Sequence, residues 1–185
     1  MNKPVLWIII GIIAIALIGG VSTYNGLVSA NENIDGKWSQ VENQLTRRSD
    51  LIPNLVETTK GYAAQEKEIF TQVAEARAKL AGSAGVADKA QADAELSGAL
   101  SRLLVVVENY PQLKSDANFR QLSDELAGTE NRLAVARKDY NDAVQDYNTR
   151  IKKFPSNILA NMAGFNAREY FKAPESARET PKVDF

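Results

Sequence analysis

The chain has 185 residues, with 22 Lys and Arg against 23 Asp and Glu and a formal net charge of −1, a length that suits one domain plus an appendage. Such a near-neutral chain lacks the basic surplus needed to grip phosphates, so no nucleic-acid partner is expected. Cys and His are both absent, which removes disulfides, thiol nucleophiles, His-assisted catalysis and the commonest transition-metal ligands, leaving only carboxylate, Lys, Ser/Thr or Tyr chemistry.

Residues 5–21 read VLWIIIGIIAIALIGGV, with no polar side chain among them. With Ser22, Thr23 and Tyr24 the run is long enough, as a helix, to cross a hydrocarbon core of about 30 Å. Trp7 and Tyr24 stand at its two ends, where amphipathic rings favour the lipid–water boundary, and are the predicted membrane interface anchors. The run exceeds the apolar core of a cleaved signal peptide, so residues 1–24 are predicted to be a retained transmembrane anchor. Lys3 lies on one flank and Glu32, Asp35 and Lys37 on the other. The positive-inside rule then places the N-terminus in the cytoplasm and the bundle outside, periplasmic or extracellular.

After the anchor, Leu27, Ile34, Trp38, Val41, Leu45, Ile52, Leu55, Tyr62, Ile69, Val73 and Leu80 fall on alternating steps of three and four. Asn31, Arg48, Thr59, Glu66 and Ala76 fill the other rungs. This is the seam of a helix packed on partner helices. Pro53 removes an amide donor and disfavours helical angles at Ile52, yet the stripe keeps its phase across it. The expectation is one helix over 24–80, kinked at Pro53 and ~85 Å long.

The small residues Gly82-Ser-Ala-Gly85 end it. A second helix is predicted over 86–109, with Leu96, Leu100, Leu103, Val107 and Tyr110 on its stripe; a strand over 103–107 is the alternative. Pro111 stops it, and residues 110–115 are expected to form a connection. The third helix is predicted from Asn118 as N-cap, with Gln121 closing a capping box, to about Lys153. Its stripe is Phe119, Leu122, Leu126, Leu133, Ala136, Tyr140, Ala143 and Tyr147. A short fourth helix over 156–163 precedes Gly164. Residues 25–165 thus form the predicted bundle and 166–185, with Pro174 and Pro181, an extended or disordered tail. At ~36 and ~54 Å the second and third helices are shorter than the first. The excess seam points to a stalk near the membrane or to self-association.

Several segments resemble the LemA family of bacterial membrane-anchored proteins. They are Tyr24-Asn25-x-Leu27-Val28, Trp38-Ser-Gln-Val-Glu-Asn-Gln-Leu45, Arg47-Arg48-x-Asp50-Leu-Ile-Pro-Asn-Leu-Val-Glu57 and Lys60-Gly61-Tyr62. Tyr147-Asn148, Phe154-Pro-Ser-Asn157, Pro174-Glu175 and Pro181-Lys-Val-x-Phe185 continue the likeness to the end of the chain. The resemblance implies an all-α, up-and-down bundle of about four long helices behind one N-terminal transmembrane helix, and a bacterial origin. It implies no chemistry. It points by association to a membrane peptidase as a partner, and it admits the opposite topology, because some members hold the C-terminal part in the cytoplasm.

The cluster Arg47, Arg48, Asp50, Pro53, Asn54 and Glu57 invites two readings. In the first, Arg48, on the seam, packs its stem inward and pairs with a carboxylate from another helix, while Asp50 and Asn54 satisfy backbone groups near Pro53. In the second, Arg47, Arg48, Asp50, Asn54 and Glu57 form a partner interface. Asp139, Asp142 and Asp146 sit at helical spacing, but Arg137, Lys138 and Arg150 are interleaved with them, as on a solvated charged face rather than a metal site. No phosphate loop or nucleophile elbow occurs, so neither catalysis nor a cofactor is expected. The sequence reads as a non-enzymatic membrane scaffold or adaptor of the bacterial envelope, bound to lipid through its anchor and self-associating. A ligand-sensing bundle or an accessory subunit of a membrane peptidase are the alternatives.

Overall fold

A computed structural model describes residues 3–172. Six helices follow in chain order among these residues: α1 (Lys3–Lys60), α2 (Lys67–Gly82), α3 (Val86–Val107), α4 (Pro111–Ser115), α5 (Ala117–Arg150) and α6 (Ser156–Ala163). The fold is an all-α, up-and-down bundle with a long apolar N-terminal helix, and the described residues contain no strand. They group into two compact units. One takes in the residues up to Trp38 together with Tyr140–Arg168, and the other Ser39–Asp139 with the segment from Glu169.

In the first unit the anchor is apolar on every face and exposed on every face, with Trp7, Ile15, Leu17, Ile18 and Val21 all bare. From Leu27 onward the exposure becomes periodic: Leu27 and Ile34 are fully buried, while Glu32 and Asn33 between them face outward. A lipid-facing helix thus becomes a bundle helix within one turn of Tyr24. Trp38 lies against Tyr140 of α5, ring centroids 5.2 Å apart, and Tyr24 lies against Phe165 at 5.7 Å. Residues 165–172 form no helix. The Asn148 amide secures the segment by donating to the Arg168 carbonyl and accepting from the Arg168 N–H, both at 2.9 Å. The Arg168 guanidinium then reaches back to Asn31 and Asp35 of α1. Gly164, at φ +76°, ends α6 in the left-handed conformation that favours glycine.

In the second unit the core is Val41, Leu45, Ile52 and Leu55 of α1, Phe70, Val73 and Leu80 of α2, Leu96, Leu100, Leu103 and Val107 of α3, Leu113 of α4, and Phe119, Leu126 and Leu133 of α5. The seam expected on the first helix is therefore covered by the chain itself, which removes the excess-length argument for self-association.

The single helix expected over 24–80 is not present. α1 runs through Pro53 and stops at Lys60, and the break falls at 61–66. Gly61, a poor helix former, begins a turn in which the Tyr62 and Ala63 amides both donate to the Thr59 carbonyl at 3.0 Å. Ala63 is buried there, and Tyr62 is turned out of the seam to 44% exposure. Tyr62 donates to Asp116 at 3.1 Å and Tyr110 to Glu66 at 2.9 Å, holding the turn to the α3–α5 connection. Just past the break Phe70 is buried in place of Ile69, which is half-buried, and Val73, Ala76 and Leu80 are buried on the expected rungs.

Two further boundaries differ from expectation. Residues 111–115 form a helical turn, α4, with Pro111 in its first turn, where proline's missing N–H costs nothing. The cap of α5 is Asp116 rather than Asn118: its Oδ1 accepts the Phe119 N–H at 2.9 Å. That contact is the main reason the Asp116 carboxyl is held below its ordinary value. The expected tail from 166 lies outside the described residues beyond 172.

Candidate functional site

The predicted cluster on α1 divides into two groups by direction. Arg48, one heptad step after Leu45, points into the second unit and is only 4% exposed. Its Nη1 donates to Asp93 Oδ1 of α3 at 2.8 Å and stands 2.8 Å from Glu130 Oε2 of α5. The contact to Glu130 is an ion pair outside hydrogen-bond alignment, since Glu130 Oε2 has no hydrogen-bond partner. Arg137 of α5 donates to Asp93 Oδ2 and lies 3.6 Å from Glu130. Two guanidiniums and two carboxylates therefore alternate in a closed, neutral ring joining α1, α3 and α5. Arg137 also places its guanidinium 5.0 Å from the centre of the Phe171 ring, a cation–π arrangement.

Burial pushes the Asp93 carboxyl above its ordinary value, against the pull of Arg137 and then Arg48. The ring offers little chemistry. Its acids face arginines, which do not exchange protons near neutral pH.

Pro53 leaves a gap that the structure fills. A residue with an N–H at position 53 would donate to the Ser49 carbonyl; proline cannot. Arg77 of α2 takes its place, with Nε donating to Ser49 O at 2.9 Å. Asp50 and Asn54, expected to serve these backbone groups, do not: neither side chain forms a hydrogen bond among the described residues, and Asn54 contributes only its carbonyl, to Thr58. A side chain from a neighbouring helix resolves what was expected to be resolved locally.

Arg47, Asp50, Asn54 and Glu57 are exposed. They follow one another at steps of three, four and three, so they share the face of α1 opposite the buried seam. Glu57 pairs with Lys60 at 3.0 Å; Arg47 makes no ion pair among the described residues. Arg48 is buried and does not belong to this surface. Trp7 and Tyr24 are exposed at 72% and 46%.

Asp146 pairs with Arg150 at 2.8 Å, and no group of three or more carboxylates is placed to hold a metal ion among the described residues. Asp93, Glu130, Arg77 and Arg168 were not singled out in the sequence, and Arg137, expected on a solvated charged face, instead turns to the buried Asp93. For Asp93 a signal exists: Asp93, Leu96, Leu100, Leu103 and Val107 form one three-four ladder, which places an acid on an apolar stripe.

An apolar, fully exposed N-terminal helix continuing into a bundle tied by buried ion pairs defines a membrane-anchored helical-bundle protein. The chain belongs to the LemA family, whose model matches residues 37–185. It is similar to magnetosome protein MamQ 2 of Paramagnetospirillum magneticum, 34% identical over 86% of this chain and 68% of that protein. Magnetosome protein MamQ of Magnetospirillum gryphiswaldense is 30% identical over 99% of this chain and 78% of its own length. Protein LemA of Metamycoplasma hominis is 25% identical over 85% of this chain and 73% of its own. The chain is thus a membrane-anchored member of this family.

Proposed function

We propose that the chain is a self-associating scaffold of the bacterial envelope, with its N-terminus cytoplasmic and its bundle outside, and that the exposed Arg47–Asp50–Asn54–Glu57 face of α1 is where it meets its partner, a second copy. The observation that carries this reading is the state of that face. Arg47, Asp50 and Asn54 are exposed and make no side-chain hydrogen bond or ion pair within the described residues, whereas Arg48 beside them is buried and paired with Asp93. Polar side chains of both signs, unspent among the described residues, favour an isologous pairing in which Arg47 of one copy meets Asp50 of the other.

The absence of native cysteine makes the test direct. Asn54→Cys in the full-length chain, oxidised in native membranes, is expected to give a discrete disulfide-linked species, and Gln145→Cys, exposed on α5, is expected not to. Monomers in both, together with a monomeric mass after extraction, would exclude self-association through this face. The docking role would then pass to a different protein, such as a membrane peptidase.

A further inference from the structure

We infer that α6 and the turn before it form an interfacial helix that lies in the same membrane the anchor crosses. Phe154, Ile158 and Met162 follow one another at steps of four and are 80%, 51% and 80% exposed. On the other side of the helix Ala160 is 1% exposed and Leu159 is half-buried. α6 is therefore apolar on both faces, and the described residues cover only one of them.

Contacts within the first unit place the bare face against lipid. Tyr140 of α5 meets Trp38 of α1. Asn148, two turns on, holds Arg168, whose guanidinium reaches Asn31 and Asp35. Each turn of α5 toward its C-terminus thus lies nearer the anchor. Phe165, just past α6, then touches Tyr24, the boundary residue of the transmembrane run. Residues 151–165 consequently occupy the interval between the level of Asn31 and that of Tyr24, ~10 Å of helix rise. An amphipathic helix buries its apolar face about 5–10 Å into the boundary between headgroups and acyl chains, a depth within reach of this interval. Charge fits the same occupant. Lys152 and Lys153 precede Phe154, are exposed and make no ion pair among the described residues, as expected of cations that meet anionic headgroups. The inference rests on the anchor and not on the scaffold reading, so either can fail without the other.

Full-length Phe154→Cys and Met162→Cys chains, each carrying an environment-sensitive fluorophore, are reconstituted into vesicles of phosphatidylcholine and phosphatidylglycerol in equal parts. Asn33→Cys, exposed on α1 two turns beyond Tyr24, is the control. The expected result is blue-shifted emission at positions 154 and 162, quenched by lipids with a nitroxide just below the headgroup, while position 33 shows neither. Emission at all three positions matching water overturns the proposal. So does a blue shift that nitroxide lipids fail to quench and that fades on dilution with lipid, which would assign the stripe to a second copy. Adding Lys152→Gln and Lys153→Gln is expected to weaken quenching in the mixed vesicles and leave it unchanged in phosphatidylcholine alone. Equal quenching in both would overturn the assignment to anionic headgroups.

Discussion

The ring of Arg48, Asp93, Glu130 and Arg137 shows what one charged position on a packing seam demands. A guanidinium at Arg48 without partners would be prohibitive; with two carboxylates it becomes a cross-link between three helices. Replacing Arg48 is costly because Asp93 stays buried, and losing a partner from a buried pair costs about 3–5 kcal/mol. Arg48→Met is therefore expected to lower the unfolding free energy from urea titration by an amount in that range, whereas Asp93→Asn, which also removes the cost of burying a carboxylate, should cost less. The two differ further in pH dependence. The ordinary Asp93 value is 3.8, and burial raises it in the folded state, so the native protein holds this proton where the unfolded chain has released it. Any stability from this site is full below the unfolded value and is lost as pH rises through the folded one. Urea titrations between pH 3.5 and 7, taken as wild type minus Asp93→Asn so that other groups cancel, should show wild type losing ground as pH rises. A difference that moves the other way would mean that the two arginines, rather than burial, govern Asp93.

At the scale of the element, the notable feature is a long helix that carries a proline without ending there. The carbonyl left open at Ser49 is satisfied by Arg77 of α2, which makes that bond conditional on Pro53. A net hydrogen bond of this kind contributes about 0.5–1.5 kcal/mol, and one from a charged donor up to about 3. Arg77→Leu should thus destabilise the wild-type chain by roughly 1–3 kcal/mol and the Pro53→Ala chain by clearly less, because an alanine at this position restores a local donor. A double-mutant cycle with coupling near zero would show that Arg77 acts through packing alone. The start of α5 offers a simpler case: Asp116→Ala removes the cap at Phe119 and is expected to lower the urea midpoint.

Much of this element structure was legible in the sequence, because three-four spacing reports directly which positions are buried. Leu27 to Leu55 and Leu96 to Val107 follow it, and α6 begins and ends where Pro155 and Gly164 place it. The break after Lys60 was not legible. Pro53 is the stronger helix breaker by propensity, but its open carbonyl is repaired by a residue 28 positions away from Ser49, while Gly61 and Tyr62 are held in a turn by Tyr110 and Asp116. Both outcomes depend on tertiary partners that local rules do not contain. The candidate site shows the same division. That Arg48 needs a carboxylate follows from its rung on the ladder; that the partners are Asp93 and Glu130 follows only from how three helices meet.

For the whole molecule the open variable is which side of the membrane the bundle occupies. Along the sequence, the described flank next to the anchor carries Glu32 and Asp35 against Lys37, so the residues nearest the span hold no positive surplus on the bundle side. Lys3 on the other flank sets the balance, and the positive-inside rule counts such residues close to the membrane. The bundle is accordingly expected outside. Because the chain has no native cysteine, Asn33→Cys can be labelled in intact cells with a membrane-impermeant maleimide and compared with lysed cells. Labelling should be equal in the two, and Lys3→Glu should shift part of the population to labelling only after lysis. If Asn33→Cys in the otherwise wild-type chain is labelled only in lysed cells, the bundle lies in the cytoplasm. Lys152 and Lys153 would then face the inner leaflet, whose anionic lipids attract juxtamembrane cations by about 1 kcal/mol each. The interfacial placement of α6 survives either result, but its electrostatic share differs. Repeating the Lys152→Gln and Lys153→Gln comparison at raised salt measures that share, because screening weakens headgroup attraction and leaves the burial of Phe154, Ile158 and Met162 in place.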